Sequence, residues 1–204
     1  MSEEFSLKML VKDFATGLET VDASCGRAHS RDPEKPYDEG IGPHTEPNTV
    51  EFIVNELQKT QPDLYRGYLH TSVPYPRTAE ECDLCYGHTA EIEWAIEVKM
   101  FRLLGNNGRL NDFMFLHLLS PYEKHRSALT DCKKLLRSTL GKRKAILIYG
   151  YEVKGWPLET AINAFEVLAL SEAKLSDRHE YPFSGLRHKY HREGKVFAWE
   201  LFPK

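Results

Sequence analysis

In the stretch Trp94-Ala95-Ile96-Glu97-Val98-Lys99-Met100, the residues Trp94, Ile96, Val98 and Met100 share one parity with Ile92. Glu97 and Lys99 share the other parity with Glu91 and Glu93. Successive side chains of a β-strand point to opposite faces, so this reads as a strand with one apolar and one charged face. Glu97 and Lys99 then stand side by side on the charged face, roughly 7 Å apart along the backbone at the usual rise per residue. A carboxylate and an ammonium so placed can hold a divalent metal and a water next to each other. A half-buried strand with a solvated Glu/Lys face has the same pattern, so the surrounding sequence has to decide.

A chain of 204 residues is the size of one domain, and residues 1–204 are read as a single unit. Its hydrophobic share of 41% and charged share of 28% are those of a soluble globular protein. No apolar run approaches the ~20 residues that a membrane helix needs. The acidic start, Met1-Ser2-Glu3-Glu4, leads into no signal-type apolar region. A cytoplasmic protein with no membrane partner is expected. Net charge is -3, which by itself does not advertise a polyanionic partner. Between residues 124 and 144, however, eight Lys/Arg face a single acid, Asp131.

Four cysteines are too few for a disulfide framework. Cys82 and Cys85 form a C-x-x-C with His88 three residues on. A structural zinc needs four ligands, and the chain offers no second C-x-x-C, so ordinary reduced cysteines are expected. His188-x-x-His191 has metal-like spacing only on a helix. That segment reads as a loop, so basic surface is expected there. Trp156 and Trp199 read as core.

Residues 5–21 read as a short helix and residues 22–47, rich in Gly and Pro, as a long loop or arm. Asn48-Thr49-Val50-Glu51 has the form of a capping box, and Val50, Ile53, Val54 and Leu57 follow at helical spacing. Residues 64–73 read as a strand stopped by Pro74 and Pro76. Residues 82–86 read as a second strand, joined through Gly87-His88-Thr89 to the Glu97/Lys99 strand. Residues 103–112 read as a flexible loop, and residues 113–119 as strand or helix. Ser120-Pro121-Tyr122-Glu123 reads as another helix start, with an apolar stripe of Ala128, Leu129, Cys132, Leu135 and Leu136. Residues 145–149 are a continuous apolar run, which suits a strand buried on both faces. Pro157 opens a further helix, residues 177–194 read as loop, and residues 195–202 as a last strand. The order is helix, three antiparallel strands, helix, strand, then an added helix and strand. That is a mixed α/β fold: a mixed sheet with helices packed on it.

Asp83, followed after a hairpin turn by Glu97-Val98-Lys99, resembles the signature of the PD-(D/E)XK nuclease superfamily. That superfamily includes many restriction enzymes, Holliday-junction resolvases and repair nucleases. The resemblance covers residues 48–150 and implies a restriction-endonuclease-like core there, with 22–47 as an arm and 151–204 as an extension. It makes Asp83 the first acid, Glu97 the second, Lys99 the lysine, and Glu51 the extra glutamate some members carry on the preceding helix. Cys82 stands where proline is common. The implied activity is metal-dependent hydrolysis of nucleic acid by a DNA endonuclease, with DNA favoured over RNA. Asp83, Glu97 and the Val98 carbonyl would hold Mg²⁺ or Mn²⁺. A homodimer is common among such folds.

The physical logic is independent of the family. Phosphodiester hydrolysis puts extra negative charge on the transition state. Hard divalent cations offset it and bind carboxylates, Mg²⁺ at ~2.0–2.1 Å. Lys99 beside the metal could orient or deprotonate the attacking water and stabilise charge on the phosphate. Lys124, Arg126, Lys133, Lys134 and Arg137 would hold phosphates, with an affinity that falls with salt.

Each assignment has a rival. Glu91 or Glu93 could replace Asp83, and Glu51 suits a simple helix cap. Lys99 could be a surface lysine paired to Glu97 or Glu93, a pair worth at most ~1 kcal/mol. Two other function classes fit: a non-catalytic nucleic-acid-binding or assembly module on the same fold, and a zinc-stabilised interaction protein built on Cys82, Cys85 and His88.

Overall fold

The computed structural model describes residues 4–29, 34, 36–111 and 113–204. The alternating stretch lies in β3 (Glu91–Phe101), which is antiparallel to β2 (Glu81–His88) on one side and parallel to β4 (Arg143–Tyr151) on the other. β1 (Leu69–Pro74) pairs antiparallel with the outer side of β2, and β7 (Gly194–Phe202) pairs antiparallel with β4. The far edge of β7 is shared by β5 (Lys174–Leu175) and β6 (His179–Phe183). The result is a seven-stranded mixed sheet.

Helices cover both faces. On one side lie α1 (Leu7–Ser24), α2 (Glu46–Thr60) and the one-turn α3 (Pro62–Tyr65). There Trp94, Ile96 and Val98 of β3 join Leu10, Phe14, Leu18 and Ile53 in a core. On the other side lie α4 (Phe113–Leu119), α5 (Ala128–Arg137) and α6 (Leu158–Ala169). There Ala95 and Phe101 meet Leu129, Cys132, Leu135 and Phe165. The charged face of β3 is therefore solvated only at its start, where Glu91 and Glu93 are exposed, and not at Glu97, which is only 1% exposed. The cause is topological. A parallel pair needs a long crossover, and α4 and α5, lying in the β3-to-β4 connection, are laid over the face that alternation alone leaves to water.

Several elements depart from the sequence reading. The first helix runs to Ser24, capped by the Ser6 hydroxyl, which accepts from the Met9 N–H at 3.2 Å. α2 begins at Glu46, with Thr45 at the N-cap, so Asn48-Thr49-Val50-Glu51 is helix interior and no capping box. Pro47 sits in its first turn, where a missing N–H costs nothing. Residues 64–73 divide between α3 and β1. The arm is docked at residues 40–44, all buried; its positions 30–33 and 35 lie outside the described residues. Residues 113–119 are helical. The basic helix begins at Ala128, not near 120. Residues 123–125 form a single 3₁₀ turn, Arg126 turns left-handed at φ 46°, and Ser127 caps α5 by accepting from the Thr130 N–H at 3.2 Å. The segment read as loop at 177–194 contains β6. Trp199 is core as expected, but Trp156 is 54% exposed.

Gly141 is fixed by a close approach. Its φ is +69°, and a Cβ there would stand 2.8 Å from the Ala95 nitrogen, so the turn into β4 tolerates no side chain. Among the described residues no helix is long and apolar enough to cross a membrane.

Candidate active site

The β2–β3 ladder runs only from His88↔Glu91 to Leu84↔Ile96, while Glu81 and Cys82 of β2 stay paired with β1. Beyond Ile96 the two strands part. Buried N–H groups must find acceptors, and here carboxylates supply them. The Val98 N–H donates to Asp83 Oδ2 at 2.8 Å, and the Met100 N–H donates to Glu46 Oε2. The opening is a cavity of about 860 Å³, lined among others by Glu46, Tyr75, Asp83, Glu97, Lys99 and Asp131.

The side chains form one charge network. α5 presents Asp131 and Lys134 together, since residues three apart share a helix face. Lys99 Nζ lies 2.9 Å from Asp131 Oδ2 and 3.6 Å from Glu46 Oε1. Lys134 Nζ lies 2.9 Å from Glu97 Oε1 and 3.3 Å from Asp131 Oδ1. The Tyr75 hydroxyl donates to the same Glu97 Oε1 at 2.5 Å. Burial holds the Glu97 carboxyl well above its usual range, and the charges of Asp83 and Asp131 push the same way. Burial works against the Lys99 ammonium, but the carboxylates of Glu46, Asp131 and Asp83 overcome it and raise its proton affinity. Lys134 is raised in the same manner, with Glu97 as the chief opponent of burial.

Of the residues expected at a site, Asp83, Glu97 and Lys99 line the same cavity. Glu51 does not. It is exposed on α2, and the glutamate of that helix that reaches β3 is Glu46, five positions earlier. Lys99 pairs with Asp131 and Glu46, not with Glu97 or Glu93. Arg126, Lys133, Lys134 and Arg137 line the cavity, whereas Lys124 is exposed on the 3₁₀ turn outside it. Lys133 is engaged with Glu172 at 3.3 Å. Arg137 meets Glu123 at 3.6 Å, an exposed pair that contributes at most ~1 kcal/mol. Sequence reasoning missed Glu46, Tyr75 and Asp131. Asp131 carried a signal: it is the lone acid in a basic stretch, three residues before a lysine.

The remaining metal-like spacings do not assemble. Cys82 and Cys85 are buried free thiols, and His88 is exposed. His188 and His191 are not basic surface. Both are buried with rings stacked 4.3 Å apart, and burial pushes His191 down to about 3, so it stays neutral.

Comparison with known proteins returns no match: no family model, no curated protein and no solved structure. Among the described residues, no three Asp, Glu, His or Cys side chains are already drawn together as a metal cage. The donors on the cavity are nonetheless the kind a hard divalent cation takes: carboxylate oxygens of Asp83, Glu97 and Asp131.

Glu46 gives a pH test. Burial, reinforced by Asp83 and Asp131 and opposed by Lys99, pushes it from 4.5 up to about 7. Between those values the folded protein holds a proton that the unfolded chain has lost. The stability from this group is thus full below pH ~4.5 and is lost as pH rises through about 7. Glu46→Gln removes the dependence and keeps an acceptor for Met100. Relative to wild type, its unfolding free energy should rise by on the order of 2–3 kcal/mol from pH 4.5 to 7.5. Denaturant titrations at several pH values check this, and parallel curves for the two proteins would refute it.

Proposed function

We propose that this chain is a metal-dependent nuclease, an endonuclease hydrolysing phosphodiester bonds in nucleic acid, DNA in preference to RNA, on a restriction-endonuclease-like core of the PD-(D/E)XK type. The supporting observation is the convergence of Asp83, Glu97 and Lys99 on one cavity, at the point where β2 and β3 part. Asp83 and Glu97, with the Val98 carbonyl, are the groups that would hold Mg²⁺ or Mn²⁺. A bound cation offsets the charge that develops on the phosphate. Lys99 remains an ammonium at neutral pH because Glu46, Asp131 and Asp83 outweigh the effect of burial. It is therefore placed to act as a positive charge beside the phosphate. Arg126, Lys133 and Arg137 on the cavity wall are the groups that would meet neighbouring phosphates.

The test is direct. Labelled duplex and single-stranded DNA and RNA are incubated with the protein and Mg²⁺ or Mn²⁺. Cleavage that Lys99→Ala abolishes, in a variant that is still folded under the assay conditions, is the expected result. No cutting of any substrate, together with no cation binding, overturns the reading. Salt-sensitive binding that Glu97→Gln leaves untouched, without cleavage, marks a non-catalytic nucleic-acid module instead.

Binding carries its own prediction. Removing one cation that contacts a phosphate lowers the slope of log affinity against log salt by ~0.9 for duplex DNA. Arg126→Ala should do so equally on unrelated sequences, as measured by fluorescence anisotropy with Ca²⁺ as a probe cation. An unchanged slope would remove Arg126 from the interface.

A further inference from the structure

We infer that Lys134 is a place-holder for the divalent cation: its ammonium stands between Glu97 and Asp131 and leaves for the cavity mouth when the cation enters. The inference rests on the metal-dependent reading above and adds a residue to it that the strand motif does not contain.

Three observations carry it. First, the geometry is that of a bridging cation. One ammonium lies 2.9 Å from Glu97 Oε1 and 3.3 Å from Asp131 Oδ1, contacting acids from two different elements. A small divalent ion that takes Glu97 as a ligand at ~2.1 Å would need the space this ammonium fills, and the two cannot share it. Second, the two lysines of the site are not equivalent. Lys99 sits on the central strand, is 13% exposed and is gripped by Asp131 and Glu46. Lys134 is 24% exposed and sits on α5 between the cavity-lining Lys133 and Arg137. It reaches Glu97 over the Tyr75 ring, 5.1 Å from the ring centroid. Its four-carbon stem can withdraw without moving the backbone. Third, Glu97 is not left without a partner on that withdrawal, because the Tyr75 hydroxyl still donates to it.

Two substitutions of opposite sign test this. Lys134→Met removes the competing charge, and should tighten Mn²⁺ binding at least ~10-fold. Lys134→Arg keeps the charge in a fork that suits two carboxylates and is harder to displace, so it should weaken Mn²⁺ binding relative to wild type. Lys59→Met, on the exposed side of α2, is the control and should change nothing. Mn²⁺ affinity is read by electron paramagnetic resonance or titration calorimetry, without nucleic acid. Equal or weaker binding by Lys134→Met, with Lys134→Arg at wild-type affinity, overturns the inference and leaves the nuclease reading standing. The expected pattern in a protein that cuts no substrate would uphold the role of Lys134 and overturn the nuclease reading. Mn²⁺ binding by none of the proteins would overturn both.

Discussion

Glu97→Gln is expected to lower cleavage by ~10³-fold or more while leaving the fold as stable as wild type. The two halves of this result have one cause. Burial and the neighbouring charges of Asp83 and Asp131 hold the Glu97 carboxyl well above its ordinary range, so its ionised form is costly to the folded protein. A neutral amide of the same shape removes that cost. Its oxygen still accepts from the Tyr75 hydroxyl and the Lys134 ammonium, so no buried donor is stranded. The amide is a far poorer ligand for a hard cation, and the cation-borne stabilisation of the transition state that the proposed function requires would be lost with it. Single-turnover cleavage and denaturant midpoints, measured on the same preparation, check both halves. Undiminished cutting would mean that the cation is held elsewhere, and a protein that fails to fold would mean that Glu97 is a structural ion pair.

The strand at the centre of this site was legible because alternation is a local property. Ile92, Trp94, Ile96 and Val98 mark one face without reference to any other segment. The burial of the opposite face was not legible in the same way. It depends on α5 docking over β3, and the contacts of Asp131 and Lys134 with Glu97 and Lys99 are more than thirty residues apart in sequence. The start of α2 was misread because Thr45-Glu46-Pro47 and Asn48-Thr49-Val50-Glu51 both resemble helix beginnings. Which one wins is decided by Glu46 having a backbone N–H of β3 to receive. β6 escaped notice because it lies on the outer edge of β7 with only Phe183 buried, which leaves no period to detect. His188 and His191 misled in the opposite sense: polar residues in a loop-like stretch that the fold then closes over.

Lys99→Met should cost about 3–5 kcal/mol of stability, far beyond what a surface pair provides. Lys99 is the counter-ion for Asp131, whose side chain is 6% exposed, and it also faces Glu46. Methionine fills much the same volume but leaves those acids without it in a site that already holds Asp83 and Glu97. Lys134 makes up only part of the loss, since its one ammonium is shared between Glu97 and the other oxygen of Asp131. The diagnostic is recovery. Adding Asp131→Asn to Lys99→Met removes the stranded charge and should restore at least half of the lost stability. In the wild-type background Asp131→Asn should be destabilising, because it strands Lys99 instead. A double-mutant cycle by chemical denaturation measures the coupling. A loss near ~1 kcal/mol, with no coupling to Asp131, would make Lys99 an ordinary surface lysine. The ordered ammonium on which the proposed chemistry depends would then be absent.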